Sequence, residues 1–141
     1  MPARISVVTL GVSDLERSVR FYEALGWHRS TASIEGEISW FTTADSVLGL
    51  FPHDELAADA NVPAEEAPVF RGVTLAINLE SNEAVETMMG EALAAGARVV
   101  KPPQRAEWGG HSGYFADPDG HLWELVHTNF NMTPEGRLDL P

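Results

Sequence analysis

Apolar and polar positions alternate from Ile5 to Val12, with Val8, Leu10 and Val12 on one side and Val7 and Thr9 on the other. A period of two predicts a strand with one face against a helix. Ser13-Asp14-Leu15-Glu16 follows as a capping box, with Ser13 spaced to accept from the amide of Glu16. The period then lengthens to that of a helix. Leu15, Val19, Tyr22 and Leu25 form one stripe, and Gly26 is placed to end it in the left-handed conformation. Strands are expected over Trp27–Ser33, Glu37–Thr43 and Ser46–Phe51, separated by turns at Glu35-Gly36 and Ala44-Asp45.

Prolines, acids and alanines break this rhythm over 52–70, which reads as a linker with one helical turn near Glu55–Ala60. The plan then repeats. Val73, Leu75, Ile77 and Leu79 alternate against Thr74, Ala76 and Asn78, and Ser81-Asn82 caps a helix to Ala95 that Gly96 ends. A strand at Ala97–Lys101 and a proline-broken loop over Pro102–Gly110 come next. Gly110–Ala116 and His121–His127 then form a hairpin around Asp117-Pro118-Asp119-Gly120. The expected fold is α+β: two tandem βαβββ modules over 4–51 and 71–128, with a tail over 129–141, in one domain of 141 residues.

Composition narrows the chemistry. The chain has no cysteine, which excludes disulfides, thiolate metal sites and cysteine nucleophiles. A formal charge of -12 repels phosphate backbones, so no nucleic-acid partner is expected, while cationic small molecules are favoured. No apolar run is long enough to span a bilayer, and no hydrophobic signal precedes the first strand pattern. No membrane partner and a cytoplasmic location are expected.

Two stretches carry a resemblance. Val12-Ser13-Asp14-Leu15 with Ser18 and Phe21-Tyr22, and the longer run from Gly113 to Leu125 (GYFADPDGHLWEL), resemble motifs of the vicinal oxygen chelate superfamily. That superfamily includes glyoxalase I, extradiol dioxygenases, fosfomycin-modifying enzymes and bleomycin-resistance proteins. The resemblance implies paired modules whose curled mixed sheets enclose a cavity, with a divalent metal held by residues of the first and last strands of each module. Carried over residue by residue, the ligand positions fall at Val7, near Gly49, at Thr74 and at Glu124. Only Glu124 is a ligand type, and such sites need about three protein ligands. No metal and no cofactor are therefore expected. The resemblance also implies a homodimer, which would cover exposed sheet edges.

Around Glu124 the hairpin pattern suggests further candidates. If the turn occupies Asp117–Gly120, Ala116 faces His121, Gly113 faces Glu124, and His111 projects on the side of Glu124. Glu124 and His111 are then the candidate acid–base pair. Thr9, Thr74 and Asn78 are expected on inward faces, and Trp108 and Trp40 as aromatic ligand contacts. Three functional classes follow from these residues. The first is a metal-independent protein binding a small aromatic or cationic molecule. The second is an enzyme of the lyase, isomerase or dioxygenase class, using Glu124 and His111 or an unrecognised metal site. The third is an accessory protein with a vestigial cavity.

Overall fold

In the computed structural model, which describes residues 1–141, the chain divides into two units, Met1–Pro68 and Val69–Pro141. The first opens with β1 (Val7–Val12) and α1 (Leu15–Ala24), continues through β2 (Ser39–Thr42) and β3 (Val47–Pro52), and closes with α2 (His53–Asp59). Its sheet has the order β1-β3-β2, with β1 parallel and β2 antiparallel to β3. Leu10, Val12, Leu48, Leu50 and Phe41 are buried with Leu15, Val19, Phe21 and Tyr22 of α1. Tyr22 is the centre of this core: its ring meets Phe21 edge-on at 5.0 Å, Trp27 at 5.5 Å and Phe41 at 5.9 Å.

Three local expectations are corrected here. Asp14, not Ser13, caps α1: its carboxylate accepts from the Arg17 amide at 3.0 Å, and Ser13 Oγ accepts from the Arg17 guanidinium at 2.9 Å. Both residue types can cap, and here the Arg17 guanidinium occupies the serine hydroxyl. The strand expected over Trp27–Ser33 is reduced to a single bridge, Arg29 with Phe41, because Trp27 turns back onto Tyr22. The single turn expected in the linker is a helix of 7 residues, α2, and the first unit runs through it to Pro68.

The second unit contains β4 (Leu75–Asn78), α3 (Asn82–Ala95), β5 (Arg98–Arg105), β6 (His111–Ala116) and β7 (Leu122–His127), then a small hairpin of β8 (Asn131–Met132) and β9 (Leu138–Asp139). The main sheet has the order β4-β7-β6-β5, with β4 parallel to β7 and the other neighbours antiparallel. The expected ends of α3 are found: Ser81 Oγ accepts from the Ala84 amide at 3.0 Å, and Gly96 takes φ of 111°. Val85, Met89 and Ala92 of α3 are buried, as are Phe115, Trp123 and Leu125 on one face of the sheet, where Phe115 and Trp123 stack at 6.4 Å. β5 runs further than expected, through both prolines, because it is bulged between Val99 and Lys101 and again before Gln104. The bulge folds backbone over Gly113, where a Cβ would lie 2.8 Å from Pro103 N and 2.9 Å from Lys101 O. Only glycine fits that position. No helix is long and apolar enough to cross a membrane.

Candidate functional site

The site is governed by the turn between β6 and β7. Asp117 N donates to His121 O at 3.0 Å, which adds a rung beyond Ala116 and leaves three residues in the loop. Asp117 Oδ1 accepts from the amides of Asp119 (3.0 Å) and His121 (2.9 Å), and Gly120 supplies the left-handed residue at φ of 83°. Arg71 braces the loop from outside, donating to Asp119 O at 2.6 Å and to His121 Nδ1 at 2.7 Å.

The pairing of the two strands is offset by one residue from the one the sequence pattern suggested, so the register moves. Ala116 faces Leu122 rather than His121, and Tyr114 rather than Gly113 faces Glu124. Because side chains alternate, the shift changes the company Glu124 keeps. His111 stands opposite His127 on the helix-covered face, where its Nε2 meets Glu86 Oε1 of α3 at 2.8 Å. The expected His111–Glu124 pair does not form.

The partner of Glu124 is Tyr114, which lies outside the set expected from sequence. Val126 O accepts from Leu79 N on the β4 side, so rungs 112/126 and 114/124 are the closely spaced, non-hydrogen-bonded ones of this hairpin. There the phenol is placed to donate a hydrogen bond to the carboxylate. Burial first, then this hydrogen bond and the negative charge of Glu124, hold the Tyr114 hydroxyl above its ordinary 10.0. The rung runs Lys101, Tyr114, Glu124, Ala76 across β5, β6, β7 and β4. On the next rung Asn78 and Ser112 flank Val126 on the same face. Trp108 is 61% exposed, and its ring lies where a side chain of Gly110 would project, on the Glu124 face if the alternation of β6 is continued. Thr74 precedes β4 and is exposed.

In the first unit the equivalent face carries Thr9, Gly49 and Trp40 on one rung. The indole lies over Gly49, where a Cβ would fall 2.6 Å from Trp40 Cζ3 and 3.2 Å from Thr9 Oγ1. Further along the same face of β1, Gly11 leaves room for His53 of α2, whose Nδ1 is 3.1 Å from where a Cβ would sit. His53 Nε2 donates to Glu65 O at 3.0 Å.

The donor set can be tested against the metal that the resemblance implies. Val7 pairs with Val47, Gly49 is covered by an indole, Thr74 is outside its strand, and Glu124 is held by a phenol. No three His, Asp or Glu side chains gather as a metal would require. These residues do not fit a divalent ion at the family position.

A strand–helix–strand plan used twice, with a polar, aromatic-flanked face on the sheet side away from the helix, defines an α+β protein of paired modules. The family model for the Glyoxalase/Bleomycin resistance protein/Dioxygenase superfamily matches residues 4–125, and the chain belongs to that superfamily. A crystal structure of a glyoxalase-related enzyme from Fulvimarina pelagi is similar at 31% identity, with 99% of each chain covered and a TM-score of 0.89. A glyoxalase/bleomycin resistance protein/dioxygenase from Nocardioides is similar at 29% identity, covering 95% of this chain and 89% of that one, with a TM-score of 0.76. Lactoylglutathione lyase from Agrobacterium tumefaciens shares the fold at 23% identity, covering 90% of this chain and 95% of that one, with a TM-score of 0.69. No functionally curated protein matches the sequence at significance.

Proposed function

We propose that the protein binds a small aromatic or cationic molecule without a metal ion, on the Glu124 face of its second unit. The observation that carries this reading is the partner of Glu124: a neutral phenol, not a cation. The carboxylate has lone pairs left for a ligand, and a ligand cation or N–H donor would satisfy them. Asn78 and Ser112 add neutral hydrogen-bonding groups on that face, and Trp108 offers an aromatic plane at its end. Thr74 extends the same face beyond β4, and Thr9 and Trp40 have the corresponding role in the first unit. His111 is not part of this site.

The test is calorimetric titration with matched pairs of flat aromatic amines and their neutral isosteres. Binding of the cationic member should weaken by about 1–3 kcal/mol in Glu124→Gln, the range for a charge-assisted hydrogen bond. Equal affinity for both members of each pair, or no change in the Gln variant, removes Glu124 from the site.

A second reading is an enzyme of the lyase, isomerase or dioxygenase class. The phenol–carboxylate pair favours it, since a proton donor and an acceptor already share one hydrogen bond. The similar Fulvimarina pelagi protein is described as an enzyme, which supports the same direction. Product formation lost in both Tyr114→Phe and Glu124→Gln would select this reading over simple binding.

A further inference from the structure

Lys101 is the only lysine in a chain whose formal charge is -12. It lies half-buried on β5 and makes no ion pair within the chain. Its direction is set by a bulge. Val99 stands opposite Phe115, whose side chain is buried on the face covered by α3, and in an unbroken strand residues two apart share a face. Lys101 would then point toward the helix. Instead the register shifts between Val99 and Lys101, which brings Lys101 opposite Tyr114 and onto the Glu124 face. A second shift follows before Gln104, so Lys101 is held in register between two irregularities. Bulges of this kind re-aim a side chain beside a binding site.

The face that results is polarised. Glu124 on β7 supplies an anion and Lys101 on β5 a cation, with the uncharged Tyr114 of β6 between them on the same rung. Arg98, opposite Ala116, adds an exposed cation on the same side of β5. Strands in a sheet lie about 4.7–4.9 Å apart, so the backbones of Lys101 and Glu124 are separated by roughly 9–10 Å. A flat ring bearing a group at each end spans such a separation, and the flexible four-carbon stem of lysine takes up the difference. We propose that Lys101 is the anion-binding residue of this face, and that the ligand is a flat bipolar molecule. Its cationic or N–H end meets Glu124, and a carboxylate or similar acid at the other end meets Lys101. The inference rests on the reading given for Glu124 and narrows it. A ligand that is only cationic meets Lys101 as a like charge, whereas a bipolar one meets each anchor with the opposite sign.

The probes are para-amidinobenzoate, which carries both ends, and benzamidine, which lacks the acid, each titrated calorimetrically into the full chain. Wild type should bind para-amidinobenzoate roughly 10–100-fold more tightly than benzamidine, the worth of one charge-assisted hydrogen bond. Lys101→Met keeps most of the stem and removes the charge. It should erase that advantage and bind benzamidine no more weakly than wild type does, since a like charge is gone. Lys101→Arg should keep the advantage, and Glu124→Gln should weaken both compounds alike. Because the chain has a single ε-amine, acetylation of Lys101 followed by mass spectrometry gives a second readout that needs no variant. Saturating para-amidinobenzoate should slow it, and benzamidine should not. Equal affinity for the two compounds, or an advantage that survives Lys101→Met, overturns the assignment of Lys101. The reading of Glu124 stands in that case if Glu124→Gln still weakens both. Affinities indifferent to Glu124→Gln, or no binding of para-amidinobenzoate at millimolar concentration, overturn the two together.

Discussion

Tyr114 and Glu124 face each other on one rung of the β6–β7 hairpin, where the phenol is placed to donate a hydrogen bond to the carboxylate. Burial and the adjacent anion both disfavour tyrosinate, so the folded protein keeps Tyr114 neutral above its ordinary 10.0. The native state then binds more protons than the unfolded chain just above that value. Stability from the pair is complete below pH 10.0 and falls as pH rises through the raised native value. Tyrosinate absorbance, taken as the difference between wild type and Tyr114→Phe, should titrate late. In Glu124→Gln it should move back toward 10.0, though not fully, because the larger cause, burial, remains. An unmoved titration in the Gln variant would mean that the two side chains do not interact.

The donor set at the family position leads to an expectation about metal. Because Glu124 stands alone there with Tyr114, purified protein should hold no divalent ion that depends on Glu124. Elemental analysis of dialysed wild type and Glu124→Gln should give the same content. About one ion per chain in the wild type, lost in the variant, would assign a metal to that face after all.

Gly113 is fixed by contact rather than by backbone conformation. A methyl there would meet Pro103 N and Lys101 O, both backbone atoms, at less than 3.0 Å. Gly113→Ala should lower stability by about 1–3 kcal/mol, the usual cost of overpacking. Urea denaturation should show a lower midpoint with an unchanged slope. Wild-type stability would show that the bulge in β5 can open at little cost.

Assembly follows from the sheet edges. β1 and β4 are both edge strands, and Ile5, Val7, Phe70 and Val73 beside or within them are exposed. Unpaired edges with apolar flanks favour pairing between copies. Light scattering should give twice the chain mass of 15.3 kDa at micromolar concentration. A mass of one chain would count against a homodimer.

The parts legible in the sequence are those decided by short-range chemistry. Ser81 and Gly96 bound α3 as expected because a cap and a left-handed stop each involve only a few neighbours. The repeat of strand and helix was legible from periodicity, and the paired-module fold from the resemblance. The site was less so. Its composition depends on whether Asp117 belongs to the turn or to the ladder, and Asp117 does both: its amide closes a rung while its carboxylate holds the loop. A pattern of residue types cannot express that double role. One residue of difference exchanged His111 for Tyr114 beside Glu124, and removed the apparent acid–base pair. The bulges of β5 escaped for a related reason, since two adjacent prolines read as a break unless the strand can distort around them.

The indole of Trp40 lying over Gly49 also has an evolutionary consequence. The superfamily resemblance places a ligand near position 49, and at Gly49 the space is filled by a neighbouring ring. A carboxylate or imidazole introduced at 49 would arrive in occupied volume, so the change would cost stability before it could contribute a bond to a metal. The reverse order fares no better, because shrinking Trp40 first would strip the rung of its packing. Each single step is uphill although the two together are compatible. Trp40 and Gly49 therefore constrain each other, and placing a metal ligand on this strand would require paired mutations rather than one.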